Sequence, residues 1–145
     1  MNIGNQKTCV FVITSDTNST FDFLSTLFFS FLFIKLIKQA DENPDGRLKV
    51  ETAFILDEFT NIGRIVDFEK KLATTRSRGI DIFMIFQNIP QLENRYNNNI
   101  GQEILGNADT KIFMGAGDIL TAEYISKYLG VSTVETNAIR KEARL

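Results

Sequence analysis

Four short runs of the chain are apolar with almost no polar alternation: Thr8 to Ile13, Thr52 to Leu56, Ile80 to Phe86 and Thr110 to Met114. They have strand length and are rich in Val, Ile and Phe, and continuous apolar strands predict burial on both faces. Between them the spacing turns helical, from about Phe21 to Ala40, from about Asp67 to Arg78, in short turns between Pro90 and Leu105, and from about Ile119 to Leu129. This alternation predicts an α/β fold with a mostly parallel sheet of about four strands flanked by helices on both sides.

The punctuation agrees with those limits. Asp67 stands where it can cap the second helix, Ile65, Phe68 and Leu72 share one face, and Gly79 is the left-handed stop. Asp118 and Gly130 take the same two parts for the last helix. The stretches "ADENPDGR" (Ala40 to Arg47) and "NRYNNN" (Asn94 to Asn99) read as surface loops. Beyond Gly130 the pattern fades into "TNAIRKEARL", a polar segment expected to need a neighbour for order. Without repeats or a linker, the 145 residues are expected to form a single domain, 1–145, large enough to bury roughly 70% of the unfolded surface.

The run "FDFLSTLFFSFLFIKLIK", Phe21 to Lys38, is the most apolar part of the chain. Its core, Phe23 to Ile34, would span about 18 Å as a helix against about 30 Å of hydrocarbon. Asp22, Lys35 and Lys38 bracket it, and "SDTNST" before it offers several N-caps. A signal segment would also want basic residues first and a small-residue cleavage site after. The expectation is a helix buried on most of its surface and no membrane segment.

Composition narrows the chemistry. Net charge is -2 with dispersed basic residues, so no global field draws in nucleic acid, and any DNA contact has to be local or shared among subunits. Histidine is absent and Cys9 is the only cysteine, which excludes His-based triads, Cys/His zinc sites and internal disulfides. Cys9, in "TCVFVI", is expected as a small buried hydrophobe, compatible with a reducing cytoplasmic setting.

Sites in open α/β sheets form beyond the carboxyl ends of strands. There "AFILDE" carries Asp57 and Glu58, and "DIFMIFQN" carries Gln87. In nucleotide hydrolysis Asp57 would orient Mg²⁺ through its water shell, Glu58 would polarise the attacking water, and Gln87 would sense the terminal phosphate. The same residues also suit an ordinary solvated strand end. Arg76 and Arg78, in "TTRSRG", suit either an arginine finger or cations complementing a helix dipole. Gln91, beside Pro90, is equally open.

Together, "FILDEFTNIGRIVDFEKKLATTRSRGIDIFMIFQNIPQLENRY" resembles the second half of the motor domain of type IV secretion coupling proteins, the TraG/TraD family of conjugative DNA pumps. "ILGNADTKIFMGAGDILTAEYISKYLG" is similar to the next strand and helix, so the resemblance runs from about Thr8 to Val134. It implies part of a RecA-like P-loop NTPase fold. The implied activity is ATP hydrolysis with Mg²⁺, driving single-stranded DNA and relaxase toward a secretion channel within a hexamer of identical subunits. The family's motor is cytoplasmic, held at the membrane by an N-terminal region. By position Asp57 and Glu58 match the Walker B pair, with Asp57 at the metal, Gln87 matches the sensor, and Arg76, eighteen residues after Glu58, matches the arginine acting across the subunit interface.

One motif departs from the family. None of the nine glycines is followed by lysine, so there is no Walker A loop, and the phosphate cradle and its central strand are expected upstream. The chain is therefore not expected to hydrolyse ATP alone. The missing strand would leave a gap between Ile80 to Phe86 and Thr110 to Met114, to be closed by direct pairing, by the chain's own tail, or by dimerisation. Two alternatives remain: a non-catalytic α/β binding module for a relaxosome or coupling-protein partner, and part of another hexameric DNA translocase.

Overall fold

The computed structural model describes residues 2–14, 19–97 and 99–132. Its regular elements are helix α1 (Asp22–Asp41), strand β1 (Thr52–Leu56), helix α2 (Phe68–Thr75), strand β2 (Ile80–Met84), and helices α3 (Ile89–Arg95), α4 (Ile100–Gly106) and α5 (Ile119–Leu129). Single 3₁₀ turns precede α1 at Ser19–Phe21, follow β1 at Phe59–Asn61, and follow α2 at Arg76–Arg78. The molecule is α/β, and among the described residues the sheet has two parallel strands, Thr52 opposite Ile80 through Leu56 opposite Met84.

The expected outer strands are not formed among the described residues. Residues Thr8 to Ile13 and Thr110 to Met114 carry no ladder, and Phe11, Ile13, Ile112 and Met114 are at least 84% exposed. An apolar run becomes a strand only where a partner offers backbone groups, and β2 has no described neighbour on its outer side. Direct closure of the expected gap is thus not observed, and the tail that could fill it lies outside the described residues. Cys9 shares this fate: it is exposed rather than buried.

Burial on both strand faces is also corrected. Phe54 and Leu56 point into the core with Ile80, while Ala53, Ile55, Asp81, Phe83 and Ile85 stand exposed on the other face. The helices gather against one face of the sheet instead of two.

The core is built on aromatic contacts. Phe33 of α1 stacks on Phe54 of β1 with ring centroids 4.4 Å apart. Phe59 stacks on Tyr96 at 5.4 Å and meets Phe68 at 4.8 Å. Tyr96, read from sequence as a loop residue, is a core residue whose hydroxyl accepts a hydrogen bond from the Ile65 N–H at 3.1 Å. Burial pushes its phenol up to about 12.

Helix α1 is buried less than expected. Phe29, Phe33, Leu36 and Ala40 face the core, but Phe23, Leu24, Leu27, Phe31 and Ile34 are about half exposed or more. By length and composition it is long and apolar enough to cross a membrane. Length therefore does not separate the two readings, although the fully buried Phe33, Leu36 and Ala40 make its second half a core element.

Local signals fared unevenly. Asp118 caps α5, its Oδ1 accepting from the Thr121 N–H at 2.8 Å, and Gly130 ends that helix at φ 75°. Gly79 terminates the Arg76–Arg78 turn in the left-handed region. Asp67 precedes α2 but makes no side-chain cap; its carboxylate bonds Lys70 Nζ at 2.8 Å. The candidate caps at residues 15–18 lie outside the described residues.

Candidate functional site

The site grows from the way β1 ends. The ladder continues past Leu56, whose carbonyl accepts from the Ile85 N–H at 3.0 Å, and the Phe59 N–H donates to the Ile85 carbonyl at 2.8 Å. These bonds bind the loop after β1 to the end of β2, with Asp57 and Glu58 bulging between them. Glu58 adopts the left-handed conformation at φ 51°, ψ 44°, unusual for a residue with a side chain and shared among the described residues with Asp67 and Asn99. Gly63, at φ 94°, closes the turn beneath it. A Cβ there would lie 2.6 Å from Thr26 Oγ1 and 3.0 Å from the Asp22 carbonyl, so only glycine lets the loop pass α1.

The consequence is convergence of two strand ends. Gln87 Nε2 donates to Glu58 Oε1 at 3.5 Å, and Asn61 Nδ2 donates to Glu58 Oε2 at 2.7 Å. One carboxylate oxygen is thus held by Asn61, and the other is approached at long range by Gln87. Asp57, exposed on the same strand end, accepts the Glu58 N–H through Oδ1 at 3.0 Å. The doublet and Gln87 stand together, all exposed, at the carboxyl edge of the sheet.

Arg76 and Arg78 lie elsewhere. Residue 80 pairs with Thr52, the first residue of β1, so the Arg76–Arg78 turn sits at the amino edge. Five strand residues separate the two edges, about 17 Å at strand rise. Arg76 extends from that edge, with its side chain 81% exposed and paired with Asp109 at 2.6 Å. Arg78 turns inward, bonding Asp41 through Nε and the Thr74 carbonyl through Nη1, each at 2.8 Å.

An open polar cavity, a surface depression of about 440 Å³, adjoins the carboxyl edge, lined by Thr60, Asn61, Arg64, Gln91, Asn94 and Arg95. Arg95 Nε donates to the Thr60 carbonyl at 2.8 Å and its Nη1 reaches Asp22 at 3.4 Å. Thr60 Oγ1 donates to Gln91 Oε1 at 3.5 Å, and the Gln91 N–H is capped by Asn88. Sequence reasoning found Gln91 but missed Asn61, Arg64 and Arg95. A pair such as Asp22 and Arg95, 73 residues apart, has no spacing to betray it.

The donor set can be tested against magnesium and a nucleotide. Two exposed carboxylates on one strand end suit an ion that keeps most of its waters and takes one or two protein oxygens. Among the described residues no cluster of three or more acidic, histidine or cysteine side chains forms a protein cage for a metal. By residue type Asp57 and Glu58 suit a hydrated ion, while the chain has no glycine-lysine turn to suit the phosphates.

Comparison with known proteins agrees with the sequence resemblance. The family model for type IV secretory system conjugative DNA transfer matches residues 1–144. The chain is 26% identical to protein VirD4 of Rhizobium radiobacter over 94% of its own length, and 33% identical to the conjugal transfer protein TraG of the same organism over 66%. A probable conjugal transfer protein TraG of Sinorhizobium fredii is 31% identical over 68% of the chain. The chain spans 20% of VirD4 and 15% to 16% of the two TraG relatives. No solved structure matches. With nearly every residue inside the family model, the chain belongs to the type IV secretory system conjugative DNA transfer family.

Proposed function

We propose that this chain is the Walker B and sensor portion of a RecA-like motor domain in a conjugative coupling protein. The reading is carried by one observation, the 3.5 Å approach of Gln87 to Glu58 at the ends of adjacent parallel strands. Asp57 would hold Mg²⁺ through its water shell, and Glu58 would orient the attacking water and accept its proton. Gln87, already bonded to that carboxylate, would link the state of the terminal phosphate to Glu58. When bound, Mg²⁺ supplies charge neutralisation on the phosphates of ATP.

Arg76 is the finger in this reading. An arginine at the amino edge cannot serve its own chain's Glu58 at the other edge, about 17 Å away, which supports action on a neighbouring subunit in a ring of six. The substrates would be single-stranded DNA and its relaxase, delivered from the cytoplasmic side to the secretion channel by a parent protein anchored in the membrane.

The test is hydrolysis. The chain alone is expected to turn over no ATP. Joined in one polypeptide to the phosphate-binding portion of a coupling protein, it should do so with Mg²⁺. Glu58→Gln should then lower turnover by on the order of a thousandfold while nucleotide still binds. Turnover unchanged by Glu58→Gln would leave the acids as mere surface charge and favour a non-catalytic binding module.

A further inference from the structure

The cavity beside Glu58 is lined by two guanidinium groups, three side-chain amides and a threonine, with the carboxylates of Asp22 and Glu58 each bonded to one of these groups. Arg95 is partly neutralised by Asp22 and committed to the Thr60 carbonyl. Arg64 is exposed, and the acid whose charge it feels is Asp67, itself bonded to Lys70. Its neighbours Asn94, Gln91 and Asn61 supply neutral donors. An exposed cation with amide donors on the same lining, beside an Arg95 tied down by its own bonds, is chemistry suited to the oxygens of a phosphate group.

The cavity also touches the candidate catalytic carboxylate through a single side chain. Asn61 lines the cavity and donates to Glu58 Oε2 at 2.7 Å. Its amide nitrogen carries two N–H groups, one of them on Glu58, so an anion in the cavity can engage the other and reorient the amide that holds the carboxylate.

We infer that this cavity binds a phosphate group, with Arg64 as the recognising cation, and that Asn61 reports its occupancy to Glu58 as a positioning residue. The consequence for hydrolysis rests on the ATPase reading proposed above; the phosphate site does not. Occupied, the cavity draws the Asn61 amide away and frees Glu58 to turn toward a water molecule. Empty, Asn61 holds one carboxylate oxygen with Gln87 near the other, and Glu58 is parked. Two sources share this chemistry: the phosphodiester of single-stranded nucleic acid, and free inorganic phosphate.

The experiment uses the whole chain at low salt, following the Asn61 side-chain amide and the Glu58 carboxyl carbon by NMR during titration with a short oligothymidylate and, separately, inorganic phosphate. At least one probe should shift both signals saturably. Arg64→Ala should weaken that binding by on the order of tenfold, and for the oligonucleotide should reduce the salt slope by about one. Asn61→Ala should still bind, with the Glu58 signal no longer responding. Tighter binding of the oligonucleotide identifies a nucleic-acid backbone as the source; equal or weaker binding identifies free phosphate. The proposal is overturned if neither probe binds, if Arg64→Ala binds as the parent does, or if Glu58 still responds in Asn61→Ala. None of these readouts requires ATP, so their failure leaves the hydrolysis reading intact, and failure of the Glu58→Gln test leaves the phosphate site intact.

Discussion

Gln87 and Glu58, 29 residues apart, meet at 3.5 Å because β1 and β2 are parallel and the Phe59 N–H ties the loop after β1 to the Ile85 carbonyl. If that contact links phosphate state to the carboxylate, Gln87→Ala in a motor with its phosphate-binding portion should lower kcat by on the order of tenfold or more with little change in KM. Steady-state kinetics distinguishes this from a binding defect, which would raise KM at constant kcat.

The two arginines should behave differently. If Arg76, exposed at the edge remote from Glu58, acts across a subunit interface, Arg76→Ala should abolish turnover in assembled rings. Mixing Arg76→Ala with Glu58→Gln subunits should restore part of it, at interfaces where an intact arginine meets an intact glutamate. Arg78 instead ties Asp41 to the end of α2. Arg78→Ala should cost about 1 kcal/mol of stability and leave mixed-ring behaviour unchanged. Chemical denaturation and mixed-subunit assays check the two halves.

The limits of α5 and the existence of β1 and β2 were legible because their signals are local: a capping aspartate, a terminal glycine, an apolar run with a nearby parallel partner. The approach of Gln87 to Glu58 was legible through the strand-end rule. Thr8 to Ile13 and Thr110 to Met114 read as strands on composition, but a strand is made by its neighbour, and no composition supplies one. Tyr96 was lost inside a string of asparagines, where residue type spoke for a loop and only the Phe59 ring and the Ile65 N–H reveal a core position. Asn61 and Arg64 are likewise ordinary turn residues until the fold brings α3 against them.

Tyr96 gives a stability test. Removing its hydroxyl leaves the Ile65 N–H without a partner in a fully buried place, so Tyr96→Phe should destabilise the fold by about 1–2 kcal/mol although it keeps the ring stack. The expected fall in Tm is on the order of 3–6 °C. Calorimetry checks it, and an unchanged Tm would mean the amide finds another acceptor.

The bare sheet face should control solubility. Ile55 and Phe83 are directly paired across the two strands and are 72% and 56% exposed, with Ile85 beside them. Exposed apolar side chains next to an open strand edge favour association. Light scattering across a dilution series should show self-association in the parent chain, reduced in Phe83→Lys. A parent chain that stays monomeric at all concentrations would refute this.

Asp118 provides a pH test whose sign is determined by its cap. The Thr121 backbone N–H bonded to its carboxylate holds Asp118 below the usual carboxylate value of 3.8. The folded state therefore prefers the charged form, so the cap contributes fully above that value and is lost as pH falls below it. Hydrogen exchange at the Thr121 amide isolates this group from Asp67, which the Lys70 bond also lowers. Exchange, corrected for its intrinsic pH dependence, should show falling protection as pH drops below about 4. Asp118→Asn keeps an acceptor at the cap and should flatten that dependence; Asp118→Ala should remove protection at every pH, because α5 then begins with an unbonded first turn. Thr121 also accepts the Ile89 N–H through its own hydroxyl, so loss of the cap should loosen the start of α3 as well, visible as faster exchange at Ile89.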